Sequence, residues 1–306
     1  MKKNIFRISL LLGIALLAIQ IGCKKAEKNT ESEEETPVSG KATVLVEETI
    51  FPVIDDEAIL FENEYDRAKL TLEKKTETAI LQSVYSEKSQ IVVMPRTLDS
   101  LELQNFKSKQ IIPRITEIGT DALAFIVNYK QADSTITTEE IMDVMLGKKS
   151  TKIKSLVFDN ANSSTVRTLK DFAKVKELPK EGVSSLNSNE ELLNYIASNT
   201  DVVGVIGVNW LLQTPRELQN AVINVKVLGV NNNKLKNNKF FKPTQSNIAT
   251  GDYPFTRKMY VLNFQGTTGL GMGFASFVAG QKGQRIMLKS GLVPAIMPTR
   301  EIQVRN

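Results

Sequence analysis

The chain has 306 residues, 42 % of them hydrophobic and 24 % charged, a globular composition with a net charge of +5. Three of the 39 basic residues, Lys2, Lys3 and Arg7, stand in an acid-free opening stretch; the remaining 36 against 34 acidic residues leave no footprint for nucleic acid. With no histidine and a single cysteine, the sequence lacks the usual general base, the commonest metal ligand, any internal disulfide and any thiolate cluster, so neither a metal nor another cofactor is expected.

Residues 1–23 run from a basic start through an apolar stretch, Ile8 to Ile21, into Gly22-Cys23. The stretch is too short to cross a bilayer comfortably and has the form of a secretion signal. A lone cysteine directly after a small residue resembles a bacterial lipoprotein signal, although Gln20 stands where an apolar residue is usual. That resemblance implies lipidation of Cys23, a membrane anchor, and a periplasmic or cell-envelope location. Residues 24–40, KKAEKNTESEEETPVSG, lack large apolar side chains and are expected to form a solvated tether.

Strands then alternate with helices. TVLVEE (43–48) reads as a strand, 51–65 as a helix, KLTLEKK (69–75) as a strand, 76–87 as a helix and QIVVM (90–94) as a buried strand. This order predicts an α/β fold with a mostly parallel sheet, whose ligands sit beyond the carboxyl ends of the strands. A second run opens with ALAFIVN (122–128). A helix over 137–146 follows, with a capping box from Thr137 to Glu140. SLVFDNANSSTVRTLKDF (155–172) reads as a short strand, a polar turn and a helix carrying Val166, Leu169 and Phe172 on one side. Ser163, Ser164 and Thr165 fall at the front of that helix, where one hydroxyl is expected to cap it. Free amides and the positive end of the axial dipole suit an oxyanion at such a point. Beyond it come a helix at 187–198, strands at 202–207, 223–230 and 259–264, a polar connection over 231–246, and two helical pieces broken near Gly280–Gly283 before LVPAI closes the core.

Other motifs weigh little. GTTGLGMG (266–273) lacks the third glycine of a nucleotide loop and reads as a flexible connection into a helix. Gly147-Lys148-Lys149-Ser150 is no P-loop, because Met142 stands where the first glycine belongs. Trp210 reads as packing, and Asp55-Asp56-Glu57 as a helix first turn. An enzyme would need a Ser-Lys or carboxylate pair, and none occurs at a suitable spacing.

Five separated segments together resemble one family, the phosphate-binding (PstS-like) proteins that feed ABC importers, of the type II periplasmic binding-protein fold. They are ALAFIVN with TTEEIMDVMLGK, NSSTVRTLKDF, VVGVIGVNWL, YPFTRKMYVLNF and FASFVAGQKGQRIMLKSGLVP. The resemblance implies two α/β lobes, 41–124 plus 258–306 and 125–257, joined by two crossing strands with a ligand cleft between them. It also implies a non-enzymatic, monomeric receptor handing phosphate or a related oxyanion to an ABC permease in the inner membrane. Ser163, Ser164 and Thr165 match the family's Ser-Gly-Thr loop, Thr49 a hydroxyl of the loop after its first strand, Thr76 a serine at the start of its second helix, and Arg96 an arginine after the third strand. Gln90 replaces an aspartate that accepts a phosphate proton. Asp159 falls where many members place an arginine, a charge that Arg167 is expected to supply. These departures, with Glu47-Glu48 standing where the family has a run of small residues, favour an alternative: the same fold with another ligand, or with a sensor or adhesion role.

Overall fold

The computed structural model describes residues 35–86, 90–235, 237–266 and 268–299. The signal, the lipidation at Cys23 and most of the tether lie outside them.

Strand β1 (Gly40–Glu47) leads through a 3-10 turn into α1 (Phe51–Glu64), with Pro52 in its first turn. Then come β2 (Ala68–Lys75), α2 (Glu77–Tyr85), β3 (Ile91–Met94), α3 (Ser100–Ser108) and β4 (Arg114–Asn128). The second run holds β5 (Thr135–Ile136), α4 (Thr138–Met145), β6 (Leu156–Phe158), α5 (Ser164–Ala173), β7 (Val183–Ser185), α6 (Asn189–Ser198), β8 (Val203–Gly207) and α7 (Asn209–Leu212). It continues with α8 (Gln219–Val222), β9 (Val225–Val227), β10 (Gly229–Asn231), β11 (Phe240–Phe241) and α9 (Gln245–Ala249). The chain returns as β12 (Thr256–Asn263), α10 (Leu270–Ala279), α11 (Gln281–Lys289) and β13 (Val293–Pro294).

The main sheet runs β2-β1-β3-β12-β4-β8-β6-β7, with β9 and β13 also on β4. It is mixed rather than mostly parallel. β1 pairs in parallel with β2 and β3, and β6 with β7 and β8, but β12 and β4 run antiparallel to their neighbours. β4 joins the two halves: Arg114 to Ala122 face β12, and Leu123 to Ile126 face β8. Strand alternation sends successive side chains to opposite faces, so each half has a helical layer on both sides. Val44 and Val46 pack under α1 and α10, where Phe61 meets Phe274 and Phe277 edge to face at 5.6 and 5.5 Å. Leu45 and Val92 pack against Ile80, Val84 and Phe106 of α2 and α3. In the other half Val157 and Ile206 pack with Leu192, Ile196 and Trp210, confirming Trp210 as core.

Several readings change. α3 was not foreseen, because only Phe106 of it is buried. β4 begins eight residues before ALAFIVN, in the polar segment RITEIGTD. The expected strand over 223–230 is two strands: β9 pairs with β4, whereas β10 joins β5 and β11 in a separate three-stranded sheet. The polar connection over 231–246 includes β11. The end of the tether docks: Glu35 accepts the Leu270 N–H at 2.7 Å, and Pro37 lies against α10. Gly273 is required for that contact, since a Cβ there would stand 1.6 Å from the Pro37 carbonyl oxygen. Gly271 and Gly273 thus serve close packing within α10, while Gly266, at φ +97° with nothing within 4 Å of a Cβ there, belongs to the connection that leads into it.

Candidate functional site

The carboxyl end of β1 and the turn after β6 face each other across the sheet. The Thr49 and Ser164 hydroxyl oxygens are 2.9 Å apart, and both residues are fully buried. α5 begins at Ser164, where amides have no partner within the helix. The expected hydroxyl cap does not form. Ser163 turns its hydroxyl to Asp159 at 2.9 Å, and Thr165 donates to the same carboxylate. The Ser164 N–H is instead taken by Glu47 Oε1 at 3.0 Å, across the gap from β1. Glu47 Oε2 accepts the Thr49 N–H at 3.0 Å and also the Thr49 hydroxyl. A carboxylate therefore sits in a nest of amide and hydroxyl donors drawn from both halves.

Arg257 of β12 closes the nest. Its Nη1 donates to Ser164 Oγ at 2.6 Å and its Nη2 to Thr49 Oγ1 at 2.8 Å. Nε and Nη2 hold Asp121 Oδ2 of β4 at 3.0 and 2.7 Å. Gly207 makes room, because a Cβ there would lie 2.6 Å from the Thr49 carbonyl and 3.0 Å from Arg257 Nη2. Asn209 at the start of α7 donates to the Thr49 carbonyl at 2.7 Å, which pins the loop after β1. Among the described residues, this buried cluster sets three carboxylates, Glu47, Asp121 and Asp159, against one guanidinium.

That imbalance shows in the protonation equilibria. Burial raises Glu47 from 4.5 to about 7 despite Arg257 and the hydroxyl of Thr49. Burial also raises Asp121 and Asp159, opposed in the first by Arg257 and in the second by Thr165 and Ser163. Glu48 rises to about 8, through burial and then the charges of Asp159 and Glu47.

The other expected residues lie apart from the nest. The Thr76 hydroxyl caps α2 by accepting the Ala79 N–H. Arg96 makes a two-pronged contact with Glu102 at 2.7 and 2.6 Å, and its Nε reaches Glu77. Arg167 donates to the same Glu77 oxygen at 2.6 Å and to Asp171. Both arginines nevertheless line, with Thr168, Lys258 and Arg257, a cleft of about 310 Å³. The charge expected from Arg167 inside the nest comes from Arg257. That residue was legible in YPFTRKMY but not singled out. Glu47, Asp121 and Asn209 carry no comparable sequence signal, because their partners lie far along the chain.

A mixed α/β sheet crossed by two long strands, with a polar nest where the strand ends of its halves meet, defines the type II periplasmic binding-protein fold. The PBP superfamily domain matches residues 31–282, and the chain belongs to that family. A Clostridium perfringens protein assigned to phosphate ABC transporter substrate binding, solved with phosphate bound, is similar in fold at 17 % identity and a TM-score of 0.67; the match covers 84 % of this chain and 100 % of that one. An ABC-type phosphate transport receptor of Vibrio cholerae matches at 18 % identity and 0.60, over 83 % and 100 %. The OxyR2 regulatory domain of Vibrio vulnificus, as the E204G variant, matches at 13 % and 0.52, over 78 % and 98 %. A comparison with curated protein sequences finds no match.

Proposed function

We propose that this chain is a lipid-anchored, extracytoplasmic solute receptor that captures phosphate or a related oxyanion and delivers it to an ABC permease in the inner membrane. Cys23 carries the anchor, and residues 41–124 plus 258–306 and 125–257 act as two lobes that close on the ion. The observation that carries the reading is the nest itself. Ser164 N–H, Thr49 N–H and the Thr49 hydroxyl converge on one carboxylate beside Arg257. Donors so arranged serve a tetrahedral oxyanion as well as a carboxylate. Ser163 and Thr165 shape the turn through Asp159, Arg96 and Arg167 give the cleft a basic wall, and Thr76 holds the helix that carries Glu77. The phosphate named for the Clostridium and Vibrio cholerae proteins supports the same ligand class here. A receptor of this kind performs no chemistry on its ligand.

Isothermal titration of unfolded, ligand-stripped and refolded protein at about pH 6 tests it. One site with measurable heat is expected from at least one of phosphate, arsenate, sulfate and molybdate. No heat from any of them ends the oxyanion reading. A second reading, the same fold with another ligand or a sensing role, is favoured by Glu47 and Asp159, which already occupy the hydroxyls and amides of the nest. In that case the four ions give no heat, and deleting the chain leaves oxyanion uptake by cells unchanged.

A further inference from the structure

Glu47 is bound as a ligand would be. Both its oxygens are hydrogen-bonded, one to the first amide of α5 and the other to Thr49, while its backbone belongs to β1 in the opposite half of the sheet. It is wholly buried, so its charge is offset only by what faces it. From β12 that is Arg257, already shared with Asp121 of β4; from the turn before α5 it is Asp159, and from its own turn Glu48. An external dianion placed beside three carboxylates and one guanidinium would add uncompensated buried charge, which is costly.

We propose that Glu47 is an intramolecular competitor for the oxyanion position: an incoming ion displaces its carboxylate, and capture takes up a proton on Glu47. This rests on the oxyanion reading above. Glu47 is then the residue that sets which charge state of ligand is admitted, and at what pH. With Glu47 ionised, the halves are bridged through Ser164 without any ligand, and the closed arrangement needs none. With Glu47 protonated, one negative charge leaves the cluster, and Ser164 N–H and the Thr49 donors become available to the ion. A carboxyl held near neutrality by burial suits that exchange, because it changes state within the range an envelope protein meets.

The test is titration of the wild-type chain, Glu47→Ala and Glu47→Gln with inorganic phosphate and with sulfate, at about pH 5.5 and about pH 8, in buffers of different ionisation enthalpy. Sulfate keeps its charge over this range, so any pH dependence in its binding belongs to the protein. The wild-type chain is expected to bind sulfate at least about tenfold more tightly at the lower pH, with uptake of about one proton per ion at about pH 8, where Glu47 starts ionised, and little at about pH 5.5, where it is already protonated. Glu47→Ala should bind at the higher pH about as tightly as the wild type does at the lower, without proton uptake. Glu47→Gln, which keeps the side-chain shape, should also lose the pH dependence and serves if the alanine variant does not fold. Tight, pH-independent wild-type binding that neither variant changes overturns the role of Glu47 and leaves the oxyanion reading standing. Folded wild-type and variant chains that bind neither ion at either pH overturn both.

Discussion

Replacing Arg257 by methionine is expected to lower the melting temperature by on the order of 10 °C and to abolish oxyanion binding. The guanidinium is the one positive charge in the buried cluster among the described residues, and its side chain is 4 % exposed. Methionine keeps most of the volume but leaves Asp121, wholly buried, without its partner. Removing one member of a buried ion pair costs about 3–5 kcal/mol. For a domain of this size each kcal/mol shifts melting by about 2–4 °C. The neighbours suffer too: Ser164 and Thr49 each lose a charged donor that fixes their hydroxyls between the two halves. Adding Asp121→Leu should recover part of the loss, because burying two apolar groups is easier than burying one unpaired charge. Thermal melts of the two single variants and the double variant check this. Losses that simply add would show that Arg257 and Asp121 do not act as a pair.

The second large effect is on pH dependence, and its sign is unusual. Glu57 in α1 has no exposed surface and neither carboxylate oxygen has a partner, and burial lifts it to about 9. With Glu47 at about 7, these groups bind protons in the native state above their ordinary value of 4.5. Between that value and each folded value the native chain holds more protons than the unfolded one. Their stabilising contribution is complete below about pH 4.5 and is lost as pH rises through about 7 for Glu47 and about 9 for Glu57. Between about pH 5.5 and about pH 8.5 stability should therefore fall by on the order of 6 kcal/mol, about 2 from Glu47 and about 4 from Glu57. The chain has no histidine, and Glu48, raised to about 8, titrates in this window in the same direction as Glu47 and Glu57; Cys23 and the terminal amine also titrate there. Glu57→Gln should flatten the curve and raise the melting temperature at the alkaline end. A melting temperature that is level or rises with pH over this window contradicts the buried carboxylates.

How much of this was written in the sequence depends on the range of the interaction. The box from Thr137 to Glu140 closes within one turn and forms as expected, with Thr137 N–H on Glu140 at 2.8 Å. The strand, turn and helix around Ser164 depend on local periodicity and were also legible. Arg257 was within reach, because the segment YPFTRKMY marks the crossing strand. Glu47 was not: its partner amide lies 117 residues away, and an acid after an apolar strand reads as a surface residue. The first half of β4 failed for the opposite reason. RITEIGTD owes its extended form to β12 on one side, a pairing that its own polar pattern does not announce.

The most direct measurement is an anomalous difference map from crystals grown at about pH 5.5 and soaked in arsenate. One strong peak is expected within hydrogen-bonding reach of the Ser164 amide, the Thr49 hydroxyl and Arg257, with the Glu47 carboxyl turned out of the nest. Glu47 still bonded to Ser164, with arsenate elsewhere or nowhere, would contradict it.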